Sequence, residues 1–257
     1  MSNYKHGIRT SRQATQLSIP ITSDGCLQCV IGTAPVNLAA DPYDTVNKPF
    51  VFHNKAAAIA GLGYSEDFKN YTLCQSMYAT FDVFGVAPIV MINVLDPEKH
   101  VKAELSKTFS VTAGKITIPD KGILLDKLSV TSTEDEPTKY EPEKDYIAAF
   151  NTDGSVSIAI ISGGAAASAE ELKVTYAQLD PSLVTYQDVI GAYDVQTKKK
   201  TGTELIGRVY PKYGVVPSLL LAPGWSHIPA VALALVAKAQ LVSSLFTAKV
   251  VVDLDTS

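Results

Sequence analysis

The sequence is poor in the residues that redox, metal and disulfide chemistry need: 257 residues contain three cysteines and four histidines. An odd cysteine count in a chain this large argues against a disulfide framework and for synthesis in a reducing cytoplasm. Charge is scarce too. Charged residues make up 19 %, and 22 Lys+Arg against 26 Asp+Glu leave a net charge of −4. Without a basic excess, no nucleic-acid partner is expected. No run reaches the ~20 apolar residues of a membrane span, so no membrane insertion is expected. The best stretch, residues 228–246, is interrupted by Lys238 and Gln240. Residues 1–16 lack the apolar core of a signal peptide. What the chain does have is apolar material, 46 % of its residues. That excludes intrinsic disorder and suffices for one large domain or two small ones.

Residues 1–16 are polar apart from Tyr4 and Ile8. They read as a disordered tail, or as an extended arm that orders by adding to another chain. From Leu17 the texture changes. Residues 26–31 read as a strand ending at Gly32, followed by a turn at Thr33-Ala34-Pro35. Asn54 caps a short helix over 55–60 that stops at Gly61. Over 71–84, Leu73, Met77, Tyr78, Phe81 and Phe84 fall on one helical face closed by Gly85. Residues 89–95 form a nearly continuous apolar run, which suits a strand covered on both faces.

Between Asp96-Pro97 and Asp180-Pro181, short alternating segments dominate: 108–111, 115–118, 127–131, 146–150, 155–161 and 172–176. Asn151-Thr152-Asp153-Gly154 reads as a hairpin turn, and 133–144 as an acidic, proline-containing loop. Further on, 202–210 predicts a short helix with Leu205, Ile206 and Val209 inward, and 218–222 a buried strand. The longest helix is predicted over 228–246. Its inward positions are Ile228, Val231, Ala232, Leu235, Val236, Ala239, Val242, Leu245 and Phe246. Residues 249–254 predict a strand buried on both faces. Strand, helix and strand in that order make a βαβ unit. The fold class is therefore α/β: a mostly parallel sheet flanked by helices, with an inserted antiparallel β domain and an extended N-terminal arm. The division reads 1–16 as the arm, 17–97 with 186–257 as a discontinuous body, and 98–185 as the β-rich insertion.

Motifs that suggest chemistry fail on their surroundings. Cys26-x-x-Cys29 has no second ligand pair, and i and i+3 in a strand point to opposite faces. The two read as small buried thiols. Gly61-Leu62-Gly63 follows no strand and has Glu66 in place of a third glycine; it reads as a helix stop. Ser162-Gly163-Gly164 lacks the Gly-Lys-Ser/Thr of a P-loop, and residues 167–171 read as a capped turn. His6, His53, His100 and His227 are scattered, none in an HExxH or beside a Gly-x-Ser-x-Gly elbow. His227 precedes the longest helix after a strand, where α/β folds often bind ligands. Lys198-Lys199-Lys200 reads as a solvated turn or a weak phosphate patch. Asp253 and Asp255 read as the polar end of a buried strand, or as acids placed at a strand end. No catalytic, cofactor-binding or metal-ligating residue is assigned, and no cofactor is expected.

Three stretches carry a resemblance. The first is the polar arm and strand ending Val30-Ile31-Gly32-Thr33-Ala34-Pro35. The second is the helix, glycine and Val/Ile-rich strand of 71–95. The third runs from Asp188-Val189-Ile190-Gly191 through a Lys-Thr-Gly turn and Pro217-Ser218-Leu219-Leu220-Leu221-Ala222-Pro223-Gly224 to the long helix and Val-Val-Val-Asp-Leu-Asp. Together they resemble the contractile tail sheath proteins of phages and tail-like bacteriocins. The resemblance implies a structural subunit and not an enzyme. It implies hexameric rings stacked as a sleeve around an inner tube, contracting to drive that tube through a cell envelope. The implied partners are further copies of the chain, the inner tail tube protein, and baseplate and tail terminator proteins. The implied location is a virion tail or tail-like particle made in a bacterial cytoplasm. Tyr4, Lys5, His6, Gly7, Ile8, Arg9 and Arg12 would then form an inter-subunit arm. Sheath proteins continue well past the Val-Val-Val-Asp-Leu strand, so the chain is expected to be an N-terminal portion lacking a C-terminal domain and arm. The competing readings are an α/β enzyme or nucleotide binder with a β insertion, its site at Pro223-Gly224, His227, Asp253 and Asp255, and another tail or baseplate component.

Overall fold

The computed structural model describes residues 27–134 and 136–255. The first elements are β1 (Gln28–Gly32), β2 (Pro49–Phe52), α1 (Lys55–Leu62), α2 (Thr72–Met77) and β3 (Ile89–Asn93). Six strands follow: β4 (Leu105–Ser110), β5 (Lys115–Ile118), β6 (Ser129–Thr131), β7 (Tyr146–Phe150), β8 (Val156–Ile160) and β9 (Glu171–Tyr176). The last elements are α3 (Tyr186–Ile190), α4 (Val209–Tyr213), β10 (Leu219–Leu221), α5 (Pro229–Gln240) and β11 (Lys249–Val250).

The first sheet has the order β11-β10-β1-β3-β2. All its pairs are parallel except β2 with β3. The apolar run of β3 is buried at every position, because both faces of the sheet carry a core. On one face Val30, Ile89 and Met91 pack with Leu62, Leu73 and Met77. On the other, Cys29, Val90, Ile92 and Leu220 pack with Leu205, Ile206, Val231 and Leu235. The strands β4–β9 form two antiparallel sheets, β4-β9-β6 and β5-β8-β7, around a separate core that includes Ile118, Val130, Ile158, Val174 and Tyr176. Their alternation decides the packing: Leu172, Val174 and Tyr176 of β9 point inward while Glu171 and Lys173 face water. Architecture is thus mixed, with helices on a mixed sheet and two further antiparallel sheets.

Four local expectations are corrected. The helix over 55–60 runs through Gly61 to Leu62. Gly61 is the point where the helix approaches Phe52, whose ring would lie 3.0 Å from an added Cβ. The stop is Gly63, whose N–H bonds to the Ile59 carbonyl. The helix over 71–84 changes to a π-helix over Tyr78–Val83. The wider turn shifts the side-chain register beyond it, and Phe84 after its end is exposed rather than inward, as is Tyr78 at its start. The helix over 228–246 ends at Gln240. Ser243 and Ser244 take positive φ and Val242 N–H bonds back to the Phe246 carbonyl at 2.7 Å, which turns the chain towards β11. Leu245, beyond the helix end, is consequently exposed, and Val236, within α5, lies on its exposed side.

The largest correction concerns 249–254. Only Lys249 and Val250 pair, with β10. β11 is an edge of the sheet, and Val251, Val252 and Leu254 are 51 %, 37 % and 84 % exposed. An apolar run records that a surface is to be covered; what covers it has to come from another segment.

Candidate functional site

The motif residues near β1 form a hydrogen-bonded corner. Gly32 lies so close to α2 that an added Cβ would sit 2.2 Å from Thr72 Oγ1. Thr33 Oγ1 donates to the Asn70 carbonyl at 2.7 Å and accepts the Thr72 N–H at 3.2 Å. Asn93, fully buried at the end of β3, accepts the N–H groups of Ala34 and Leu95 at 3.0 and 3.1 Å and donates to the Leu95 carbonyl at 3.0 Å. Asn93 was missed in the sequence; its signal was a single amide inside the apolar run 89–95.

The residues named for the enzyme reading do meet. His227, Asp253 and Asp255 line a cleft of about 650 Å³ with Gln28, Gln75 and Gly224. It opens where the chain leaves β10 and where it continues beyond β11. Its polar groups are largely occupied by structural bonds. Asp253 Oδ2 accepts the Gly224 N–H at 2.8 Å, and Ser226 Oγ accepts the Asp253 N–H at 2.8 Å. Gln28 Nε2 donates to Thr80 Oγ1 at 3.0 Å. Asp253 therefore ties the chain after β11 to the turn before α5.

Burial pushes the thiols of Cys29 and Cys74 up to about 12, so both stay protonated and unreactive. Cys26 lies outside the described residues, as do His6 and the arm residues. His53 is exposed. Among the described residues no group of three or more His, Cys, Asp or Glu side chains is placed to hold a metal ion. The Ser162-Gly163-Gly164 turn wraps a buried carboxylate. Asp145 accepts the N–H groups of Ala165 and Glu141, both at 2.8 Å.

A titratable cluster stands where the chain crosses between the first sheet and strands β4–β9. The two crossing segments lie side by side, with Lys102 N–H bonded to the Gln178 carbonyl at 2.8 Å and Asp180 N–H to the His100 carbonyl at 2.9 Å. His100, 2 % exposed, accepts the Asp96 N–H on Nδ1 at 2.9 Å. Its Nε2 lies 3.6 Å from Asp188 Oδ2. Asp188 also pairs with Lys99 and closes a capping box with Thr185 at the start of α3.

Burial pushes the Asp188 carboxyl up, but the bonds from Lys99 and Thr185 outweigh it and hold it at about 2. For His100, burial pushes the imidazole down and Lys99 adds to this, while Asp188 and Asp96 pull it partly back. Both groups stabilise the fold less as pH falls. An unfolded imidazole takes its proton near 6.5 before the buried one does, and an unfolded carboxylate near 3.8 before Asp188 does. The thermal midpoint is therefore expected to drop from about pH 7 to about pH 5, and His100→Gln to flatten that drop. Asp188→Asn is expected to cost about 1–2 kcal/mol at neutral pH, after allowing for the exposure of Lys99. It should also flatten the loss below about pH 4. Thermal melts across pH check both.

No helix among the described residues is long and apolar enough to cross a membrane. No family model matches the chain. A tail sheath protein of Burkholderia phage BcepMu is 26 % identical over 228 residues, covering 87 % of this chain and 44 % of that protein. The chain spans less than half the length of this curated relative.

Proposed function

We propose that the chain is a structural part of a contractile tail sheath, one that assembles with copies of itself around an inner tail tube and performs no catalysis. The observation that carries this is the similarity to a phage tail sheath protein along 87 % of the chain. Two surfaces support it. The edge at β11 leaves Val251, Val252 and Leu254 exposed, and α5 is apolar on both sides, with Leu233 and Val236 70 % and 42 % exposed. A helix apolar all round and an open strand edge are surfaces that another body covers.

On this reading, residues 17–97 with 186–257 form the body and 98–185 the insertion that faces solvent. Residues 1–16, with Tyr4, Lys5, His6, Gly7, Ile8, Arg9 and Arg12, form the arm that adds to a neighbour. Subunits stack as hexameric rings and contract by rigid-body rearrangement of packed bodies joined by flexible connections. The inner tube, baseplate and tail terminator are the other partners, and the location is the tail of a virion or tail-like particle.

Immunogold electron microscopy with antibodies raised against the purified chain tests this on particles from the producing cells. Gold along the whole tail is expected. Gold confined to one end would replace the reading with a baseplate or terminal component, and gold absent from particles would end it.

A further inference from the structure

The sequence holds two charge triplets of opposite sign, and their described side chains serve neither the core nor the cleft. Lys198-Lys199-Lys200 lies in the loop between Gly191 and Gly202. The loop is braced across its base: Thr201 N–H bonds to the Ala192 carbonyl at 3.0 Å and Ala192 N–H to Thr201 Oγ1 at 2.9 Å. With Lys48, Arg208 and Lys212 the triplet lines a groove of about 980 Å³ whose only acids are Asp96 and Glu98. Six cations against two acids gather there in a chain whose net charge is −4. Lys48 pairs with Asp44. Among the described residues the other five cations have no ion-pair partner. The Lys212 ammonium lies over the rings of Phe50 and Tyr213, which fixes it at the groove wall.

The opposite triplet is Glu134-Asp135-Glu136, between β6 and β7. Asp135 lies outside the described residues. Glu134 and Glu136 are exposed and have no ion-pair partner among the described residues. The loop is clipped at its base, with Ser132 N–H bonded to the Thr138 carbonyl and Thr138 N–H to Ser132 Oγ, both at 2.9 Å. Both loops are thus braced at their bases, which lowers the ordering cost of a contact between them.

We propose that the lysine groove of one copy receives the acidic loop 133–138 of a second copy. Among the described residues of one chain the two loops form no ion pair, which leaves the groove open to an acidic segment from outside. Like charges held side by side repel, and a matching triplet converts that repulsion to attraction while excluding partners of the wrong sign. The proposal rests on the sheath reading only in needing a second copy.

The test titrates a fluorescently labelled peptide of residues 130–145 into the full 257-residue chain and follows anisotropy. Binding is expected, weakening at least about tenfold between about 20 mM and about 300 mM salt. The chain with K198E, K199E and K200E should lose it. A peptide with E134K, D135K and E136K should bind that variant and not the original chain. K199E alone, at an exposed position, serves if the triple variant fails to fold by circular dichroism. Absence of salt-dependent binding overturns the proposal. So does equal binding of a shuffled peptide of the same charge, which would make the groove a general polyanion site, and so does failure of the reversed pair to restore binding. Sedimentation of the full chain separates the two readings. Peptide binding by a chain that never self-associates overturns the pairing between copies, leaves the groove a site for an acidic peptide, and leaves the sheath reading to the immunogold test. Association untouched by the triple reversal, without peptide binding, removes the pairing alone.

Discussion

Asn93→Leu is expected to destabilise the chain by about 4 kcal/mol, although leucine matches the amide in size and prefers a buried site. Its side chain satisfies three backbone groups, the N–H of Ala34 and both the N–H and the carbonyl of Leu95. At that depth no water replaces it, and each orphaned buried group costs about 1–3 kcal/mol. For a chain of this size the thermal midpoint should fall by roughly 8–16 °C. Asn37 supplies the contrast. It is 5 % exposed, and its Oδ1 has no partner among the described residues. Asn37→Leu removes an unsatisfied acceptor instead of creating some, so its effect should stay within about 1 kcal/mol. Equal losses from the two substitutions, in parallel thermal and urea melts, would show that the Asn93 bonds contribute little.

Gly191→Ala is expected to cost about 3–5 kcal/mol. Gly191 ends α3 with φ +71°, and its N–H bonds to the Gln187 carbonyl. An added Cβ would lie 2.0 Å from the Thr201 carbonyl oxygen and 2.7 Å from the Gly202 nitrogen. Both obstacles are backbone, so no rotamer change relieves them. The base of the lysine loop would have to open. Gly214 has the same φ but nothing within 4 Å of an added Cβ. Gly214→Ala should therefore cost only the backbone conformation, about 1–2 kcal/mol. The difference between the two melts measures the steric part. A Gly191→Ala chain no less stable than Gly214→Ala would mean that the loop closes in some other way.

These two positions show how motif and mechanism relate here. Gly32-Thr33-Ala34-Pro35 and Ile190-Gly191 were legible as a resemblance before any reason for them was visible. The structure supplies the reasons: close approach of β1 to α2, the Asn93 bonds, and contact between two stretches of backbone. Each involves residues far apart in sequence, Ala34 with Asn93 and Gly191 with Thr201. The His100–Asp188 pair was unreadable for the same reason. His100 was one of four scattered histidines until the crossing segments brought it beside α3. His227, Asp253 and Asp255 were read as one candidate site and do share one cleft, where Asp253 braces a turn.

Much of the local structure was legible in the residues alone. Period-two alternation placed β5, β7 and β9, the continuous apolar run placed β3, and Asn54 started α1 with its side chain accepting the Ala57 N–H at 2.8 Å. Those signals depend on a few neighbouring residues and on whether a side chain prefers water. Tertiary structure decided which apolar faces are covered. Residues 249–254 and the outer face of α5 have the composition of buried elements, yet Val251, Leu254, Leu233 and Val236 stand in solvent. It also decided where α5 ends, because the turn at Ser243 and Ser244 serves the return of the chain to β10 and not the helix. Hydrophobicity is a property of the residue, but burial is a property of the contact, and a contact needs its second surface.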